Sequence, residues 1–323
     1  MGSMMRYLRF ALILALLLLI FGFSPASLPR LELLPGLKAG KAPYAVRISR
    51  DQRLFVANFA SDDVGVLSLR DARGKMQMIY AGPEPIDLAL SPREDQLWVV
   101  NKGGGMVTVM STSELRPVDN IKMGGEPVAI AIDPKGTRAF VANWGRGKFG
   151  RLDVIDFNTH EVLKAVKMGV RPLAVAFDPA ADVAYVANIG SDSVIRVKFP
   201  HYEAEEFPCV EAPNGLALTH DGKGLYVTGS NSSFLALMDT ASMKEIRRVS
   251  VGRGPFGVAV HPQGWVATAD RDGGTVSLLT PDLTGLQSLK VGKNPNHVAF
   301  SHDGTTAFVT LEGENRIGMI RLQ

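Results

Sequence analysis

The chain has 323 residues, 46% of them hydrophobic and 21% charged, with 35 Lys+Arg against 32 Asp+Glu and one Cys. That balance excludes a disordered or collagen-like chain, and a formal net charge of +3 excludes the strongly basic field of a nucleic-acid binder. A buried core is expected, and because lone Cys209 cannot make an intrachain disulfide, core packing has to hold it together.

Residues 1–26 open with Arg6 and Arg9, continue as an apolar run from Phe10 to Phe23, and end in Ser24-Pro25-Ala26. This is the pattern of a signal peptide cut after Ala26. At ~1.5 Å per residue the apolar run spans about 21 Å as a helix, short of the roughly 30 Å hydrocarbon core. Export to the periplasm or beyond is therefore expected, with only transient membrane contact through the leader. A retained N-terminal membrane anchor is the alternative.

From residue 38 onward the sequence repeats. Pro43, Pro85, Pro127, Pro172, Pro213, Pro255 and Pro295 recur every 40 to 45 residues, and a glycine precedes each by three positions except in the fifth unit, where Val210 stands. We read this Gly-x-x-Pro as a turn. After each proline comes an apolar triplet with alanine at its centre in every unit but the first, where Arg47 replaces it. A polar turn and a second strand follow: Phe55-Val56-Ala57-Asn58, Trp98-Val99-Val100-Asn101, Phe140-Val141-Ala142-Asn143 and Tyr185-Val186-Ala187-Asn188 in the first four units. Two further short strands complete each unit, and four strands in about 40 to 45 residues is the size of a propeller blade.

The fold class expected is thus all-β: a seven-bladed β-propeller of four-stranded antiparallel blades filling 27–323, with blades starting near 38, 80, 122, 167, 208, 250 and 290. The seventh unit stops after its third strand, so the missing outer strand is expected from the start of the mature chain, Leu31 to Leu34 pairing antiparallel with Ile317 to Leu322, which closes the ring and covers an edge. The recurrent strand ending in Val-Ala-Asn, with its preceding Gly-x-x-Pro, resembles the YVTN family of β-propeller repeats over residues 38–323. The resemblance implies an exported seven-bladed propeller, distantly related to lactonase-type propellers and to the haem domain of cytochrome-type nitrite reductases, and it transfers no catalytic residues.

Residues that break a column point to chemistry. Two places after the proline the units carry Ala45, Asp87, Ala129, Ala174, Gly215, Gly257 and His297, so a closed ring brings His297, Arg47 and Asp87 together on blades seven, one and two. Such a trio can hold an anion or carbonyl ligand, or satisfy itself as an ion pair beside an imidazole. Asn58, Asn101, Asn143 and Asn188, with Asp270 in the same column, cap turns or form a ring of amides facing a ligand. Trp144 and Tyr44 are placed on loops of the same face, to grip a partner or to cover blade edges. The rim mixes Lys102, Arg146, Lys148, Arg171 and Lys293 with Glu84, Glu126 and Glu312. Gly145 to Gly150 matches a dinucleotide fingerprint, yet an alternating strand pattern follows it, so it is read as an enlarged loop.

No His pair, Cys-x-x-Cys-His or Gly-x-Ser-x-Gly spacing is present, so no metal or cofactor is expected. The reading is a monomeric, exported binding or scaffold protein that uses its channel face for a small-molecule ligand or a protein partner. A lactonase-type hydrolase, with Asp87 or His297 as base and Arg47 stabilising an oxyanion, and an accessory protein of a periplasmic redox system are the alternatives.

Overall fold

The computed structural model describes residues 28–71, 74–144, 148–178 and 180–323. The leader 1–26 and residues 145–147, Arg146 among them, lie outside the described residues. Twenty-eight strands form seven four-stranded antiparallel sheets, each built from consecutive strands except the last. The first strand of each blade begins at its repeat proline: Pro43–Ile48, Pro85–Leu90, Pro127–Ile132, Pro172–Asp178, Pro213–Leu218, Pro255–Val260 and Pro295–Phe300. These seven are the innermost strands and contact one another around the axis. The fourth strands face outward, and most of their residues are exposed.

The ring closes as the repeat count requires. The segment Leu31–Lys38 pairs antiparallel with Arg316–Leu322, Leu31 opposite Leu322, Leu34 opposite Met319 and Lys38 opposite Arg316, with a bulge after Leu34. It supplies the outer strand of blade seven, which would otherwise present a row of unpaired backbone groups.

Blades stack face to face, so their middle strands are buried on both sides and read as continuous apolar runs. The aromatic column of the second strand fills the space between neighbours: Phe55, Trp98, Phe140, Tyr185, Tyr226 and Phe308 are each at most 2% exposed. Truncating one of these rings to alanine typically costs about 3–5 kcal/mol. Blade six has Ala267 in that column, and Trp265, two residues earlier on the same face of the chain, packs into the same cluster.

The glycine of Gly-x-x-Pro serves the turn through a positive φ at Gly82, Gly124 and Gly292, and it has a second role. The residue directly before the proline is left-handed too, Ala42, Glu84, Arg171, Ala212, Gly254 and Asn294 in six blades, with φ between 50° and 62°. On blades one, two and four the glycine is also required for space, because the Asn that ends the second strand lies against it, whereas Gly124 of blade three has open space around it. A Cβ on Gly40 would sit 2.6 Å from Asn58 Cγ, and one on Gly82 would sit 2.7 Å from Asn101 Nδ2. Blade five carries the swap: Val210 replaces the glycine and Gly229 replaces the asparagine, and a Cβ on Gly229 would lie 2.7 Å from Val210 Cβ.

On the face opposite the Gly-x-x-Pro turns, side chains tie each blade to the next. Arg50 of blade one bonds Glu94 and the Pro92 carbonyl of blade two, and Arg138 of blade three pairs with Asp182 of blade four. Between blades five and one three of the ties are imidazoles, beside the Tyr226 hydroxyl that donates to the Pro281 carbonyl (2.6 Å). His220 donates to the His261 carbonyl (2.9 Å), His261 Nε2 to the Gly304 carbonyl (2.7 Å) and His302 to the Ile48 carbonyl (3.2 Å).

The volume exchange in blade five predicts strong coupling. Gly229→Asn alone overpacks the site and is expected to cost about 1–3 kcal/mol, whereas combined with Val210→Gly it is expected to cost much less than the two single changes added together. Urea unfolding of the four proteins closes the cycle, and purely additive effects would refute the space-filling account.

Candidate functional site

The seven innermost strands enclose an axial cavity of about 120 Å³. The residue after each proline forms its outer ring. Ile86, Val128 and Leu173 make an apolar arc on blades two to four, while Asn214, Phe256, Asn296 and Tyr44 make a polar and aromatic arc on blades five, six, seven and one. One position deeper the side chains are Ala, Gly, Asp87 or His297, which leaves the space open. Glycine is obligatory there on blades five and six, because a Cβ on Gly215 would meet the Phe256 carbonyl at 2.4 Å and one on Gly257 the Asn296 carbonyl at 2.6 Å.

Arg47, standing where the other units have alanine, joins three blades. It donates from Nη2 to Asp87 Oδ1 (2.9 Å), and from Nη1 to the Val46 carbonyl (3.0 Å) and to His297 Nε2 (2.9 Å). A guanidinium has no acceptor, so His297 Nε2 must accept and the ring proton sits on Nδ1. Burial first, and the Arg47 charge second, hold this imidazole well below its ordinary value of 6.5, so it is neutral. Its Nδ1 is buried at the cavity wall and has no partner. Three of the five guanidinium N–H groups are used. Nε and one Nη2 hydrogen have no partner among the described residues, and the side chain is 28% exposed.

Asp87 accepts three hydrogen bonds. Besides Arg47, Oδ1 accepts from Leu88 N (2.8 Å) and Oδ2 from Ile130 N of blade three (3.0 Å). Burial pushes its carboxyl upward, opposed by the Arg47 charge and the two backbone donors. Every partner is a donor, so the ionised form is the one these contacts satisfy. Threonine hydroxyls make comparable bridges elsewhere on the hub. Thr228 accepts from Gly215 N (2.8 Å) and donates to the Phe256 carbonyl (2.7 Å), and Thr310 accepts from His297 N (2.9 Å) and donates to the Tyr44 carbonyl (2.9 Å).

At the mouth, Arg271 pairs with Glu312 (2.6 Å) and donates through Nε to Asn296 Oδ1 (2.8 Å), while Asn296 Nδ2 donates to Glu312 (2.7 Å). The Arg271 guanidinium lies 5.4 Å from the Phe256 ring centre. Tyr44 lines the cavity beside them, and burial pushes its phenol up to about 12. Both arginines face a carboxylate, so the site carries donors without a net charge.

The structure brings together Arg47, Asp87, His297 and Tyr44 of the residues singled out in the sequence. It does not bring the Asn column to the cavity. Asn58, Asn101, Asn143, Asn188 and Asp270 are all 0% exposed, lie outside the lining, and bond within their own blades. Asn58 donates to Asp63 (2.7 Å), Asn101 to Thr108 (2.8 Å) and Asn143 to Asp153 (3.1 Å). Asn188 accepts from Gly169 N (3.1 Å), and Asp270 accepts from Ser277 (2.7 Å). These short polar side chains reach the third strand or the Gly-x-x-Pro turn and lock the loops together, so no ring of amides faces the channel. Trp144 is half-buried and is not in the lining but packs behind Val128 and Leu173, which are, with Lys102 Nζ 4.5 Å and the Arg171 guanidinium 5.7 Å from its ring centre.

Sequence reasoning missed Asn214 and Asn296. The signal was available one column earlier, directly after the proline, where the residue type changes most from blade to blade. Among the described residues no cluster of three or more His, Cys, Asp or Glu is placed to hold a metal ion. Cys209 is partly buried, with its thiol pushed up to about 12 by burial, which leaves it a poor nucleophile.

Neither a protein-family model nor a curated protein sequence matches the chain. Solved structures do share its fold. Hydrazine synthase of Kuenenia stuttgartiensis superimposes with a TM-score of 0.78 at 20% identity, over 93% of this chain and 98% of that one. A streptogramin B lyase gives 0.76 at 15% identity, over 93% and 100%. Virginiamycin B lyase from Staphylococcus aureus gives 0.76 at 13% identity, over 91% and 100%. At these identities the likeness is one of fold.

The histidines give the stability a pH dependence of definite sign. His261 and His297 are both held below 6.5 in the folded chain, burial being the first cause for each. Below about 6.5 the unfolded chain therefore binds more protons, and their contribution, complete above that pH, is lost as pH falls toward the folded values. Urea unfolding between about pH 7 and pH 5 is expected to show falling stability, with a shallower slope in His297→Phe. An equal slope in the two proteins would remove His297 from the account.

Proposed function

We propose that the protein binds a compact carboxylate in the axial cavity without transforming it. The observation that carries this reading is the donor surplus at one wall: Arg47 presents two unused N–H groups, and the neighbouring His297 holds a buried Nδ1–H with no partner. An unmet buried donor costs about 1–3 kcal/mol, and an acceptor oxygen from a ligand removes that cost. The apolar arc of Ile86, Val128 and Leu173 suits the carbon skeleton of such an acid. The volume is close to that of cavities that accept benzene, roughly 150 Å³, which sets the ligand at about six or seven heavy atoms.

The propeller lyases suggest an enzymatic second reading, and one solved structure is an inactive His-to-Ala variant of virginiamycin B lyase with quinupristin. The bonding here runs against a hydrolase or lyase built on the same trio. His297 has its lone pair engaged by Arg47 and can take no substrate proton, and Asp87 already accepts three hydrogen bonds, keeping one free lone pair on Oδ2. The resemblance to YVTN repeats belongs to this proposal as well, supported by the four strands that end in Asn58, Asn101, Asn143 and Asn188.

Titration calorimetry with acetate, propionate and butyrate, against the matching alkylamines, tests the binding. Saturable binding of the acids and none of the amines is expected, and His297→Phe is expected to weaken it about tenfold, the worth of one hydrogen bond. His297→Phe is preferred to removing Arg47, which would strand the buried Asp87 charge at a cost of about 3–5 kcal/mol. Failure of every acid to bind overturns the reading, as does turnover of a lactone panel that disappears in Asp87→Asn.

Export belongs to the same proposal. A cut after Ala26 spares the strand Leu31–Lys38 that closes the ring. N-terminal sequencing of the protein secreted by a bacterial host is expected to start at Ser27. A retained Met1 on membrane-bound protein would favour the anchor instead.

A further inference from the structure

Resting on the carboxylate reading above, we infer that the ligand is a hydroxy acid, or an acid with an equivalent N–H, whose donor is received by Asn214 Oδ1. Asn214 stands on blade five, whereas Arg47 and His297 stand on blades one and seven, so blade six separates them on one side of the ring and blades two to four on the other. It is 5% exposed and lines the same cavity. Its Nδ2 donates to the Ala212 carbonyl (3.3 Å), and turning the amide over would set oxygen against oxygen. The orientation is thereby determined, and Oδ1 is the atom buried without a partner.

Asn296 occupies the same column on blade seven and has both of its amide atoms bonded, to Arg271 and Glu312, while Asn58 and Asn101, whose buried Oδ1 atoms also lack partners, lie outside the cavity lining, so that Asn214 is set apart by combining an unmet oxygen with a place on the cavity. Asn214 has no such neighbours. Next to it Gly215 and Gly257 carry no side chains, and the opposite arc from Ile86 to Leu173 offers only hydrocarbon. Two residues of the lining thus hold unmet polar atoms, a donor on blade seven and an acceptor on blade five, beside the apolar arc of blades two to four. A ligand that satisfies both has an acceptor at one end and a donor at the other, joined by a short carbon chain. A simple fatty acid answers only the first.

Calorimetry on the full-length mature protein decides this with matched pairs: glycolate against acetate, 3-hydroxypropionate against propionate, and 4-hydroxybutyrate against butyrate. At one chain length the hydroxyl is expected to tighten binding about tenfold. Asn214→Leu is expected to abolish that preference, so that within the variant each hydroxy acid binds no tighter than its plain partner. Its own melting temperature should not fall, since the change removes an unmet acceptor. Plain acids that bind as well as their hydroxy partners at every length overturn this inference and leave the carboxylate reading standing, as does a hydroxyl preference that survives in Asn214→Leu. No binding by any acid overturns both. Should Asn214→Leu not fold, Asn214→Ala carries the same comparison, and a hydroxyl preference that survives in it overturns the inference equally.

Discussion

Six backbone pairings between Leu31–Lys38 and Arg316–Leu322 hold the two ends of the chain together, and the geometry of everything else depends on them. A strand ladder with its ends apart leaves blade seven and blade one unrelated, and Arg47 and His297, 250 positions apart, never meet. Once the ends are joined, the seven innermost strands must face a common axis, and what each contributes there is decided by residue position alone. The closing strand is also the one element whose partner is not its neighbour in sequence. Its register is specified by the alternation of apolar residues on both strands and the bulge after Leu34.

Within this circle the repeat and its exceptions do different work. Residues shared by most blades build the scaffold: the aromatic wedges between sheets, the proline that starts each inner strand, the Asn that locks loop to turn. Residues that depart from the repeat make the hub specific. Arg47 in place of alanine and Asp87 and His297 in place of small side chains tie four blades through one hydrogen-bonded chain, from His297 through Arg47 and Asp87 to Ile130 N. Thr228 and Thr310, in a column otherwise filled by Ala or Val, give partners to backbone groups of blades five and seven beside the register slip that every inner strand shows after its proline. The symmetry is thus broken in adjacent blades, and the cavity gains a polar side and an apolar side.

Much of this was readable in the sequence because the information was positional. Seven prolines at nearly constant spacing define the blades, and the short seventh unit demands a strand from the other end. A ring then makes neighbours of His297, Arg47 and Asp87 without any knowledge of coordinates. What was not readable was direction. Asn58 and its equivalents sit at a strand end that points toward the channel face, yet their amides turn back into the blade, because short side chains find partners on the adjacent third strand before they can reach the axis. Tautomer was equally hidden: only the contact with a guanidinium, which can donate but never accept, shows which nitrogen of His297 bears the proton. Gly-x-x-Pro was legible as a punctuation mark, and its cause was not, since the need for an absent Cβ appears only when Asn58 is seen lying against Gly40.

The ties on the face away from the turns divide the molecule into two arcs. From blade one to blade four they include ion pairs on partly exposed side chains, such as Arg50 with Glu94 and Arg138 with Asp182. From blade five through the closure to blade one they include imidazoles resting on main-chain oxygens. Dissolved electrolyte weakens the first kind and scarcely touches the second. In brine these imidazole ties would consequently persist beside the seam while its own exposed Arg321–Glu32 pair is screened, so the join keeps its main-chain links and loses its charged one.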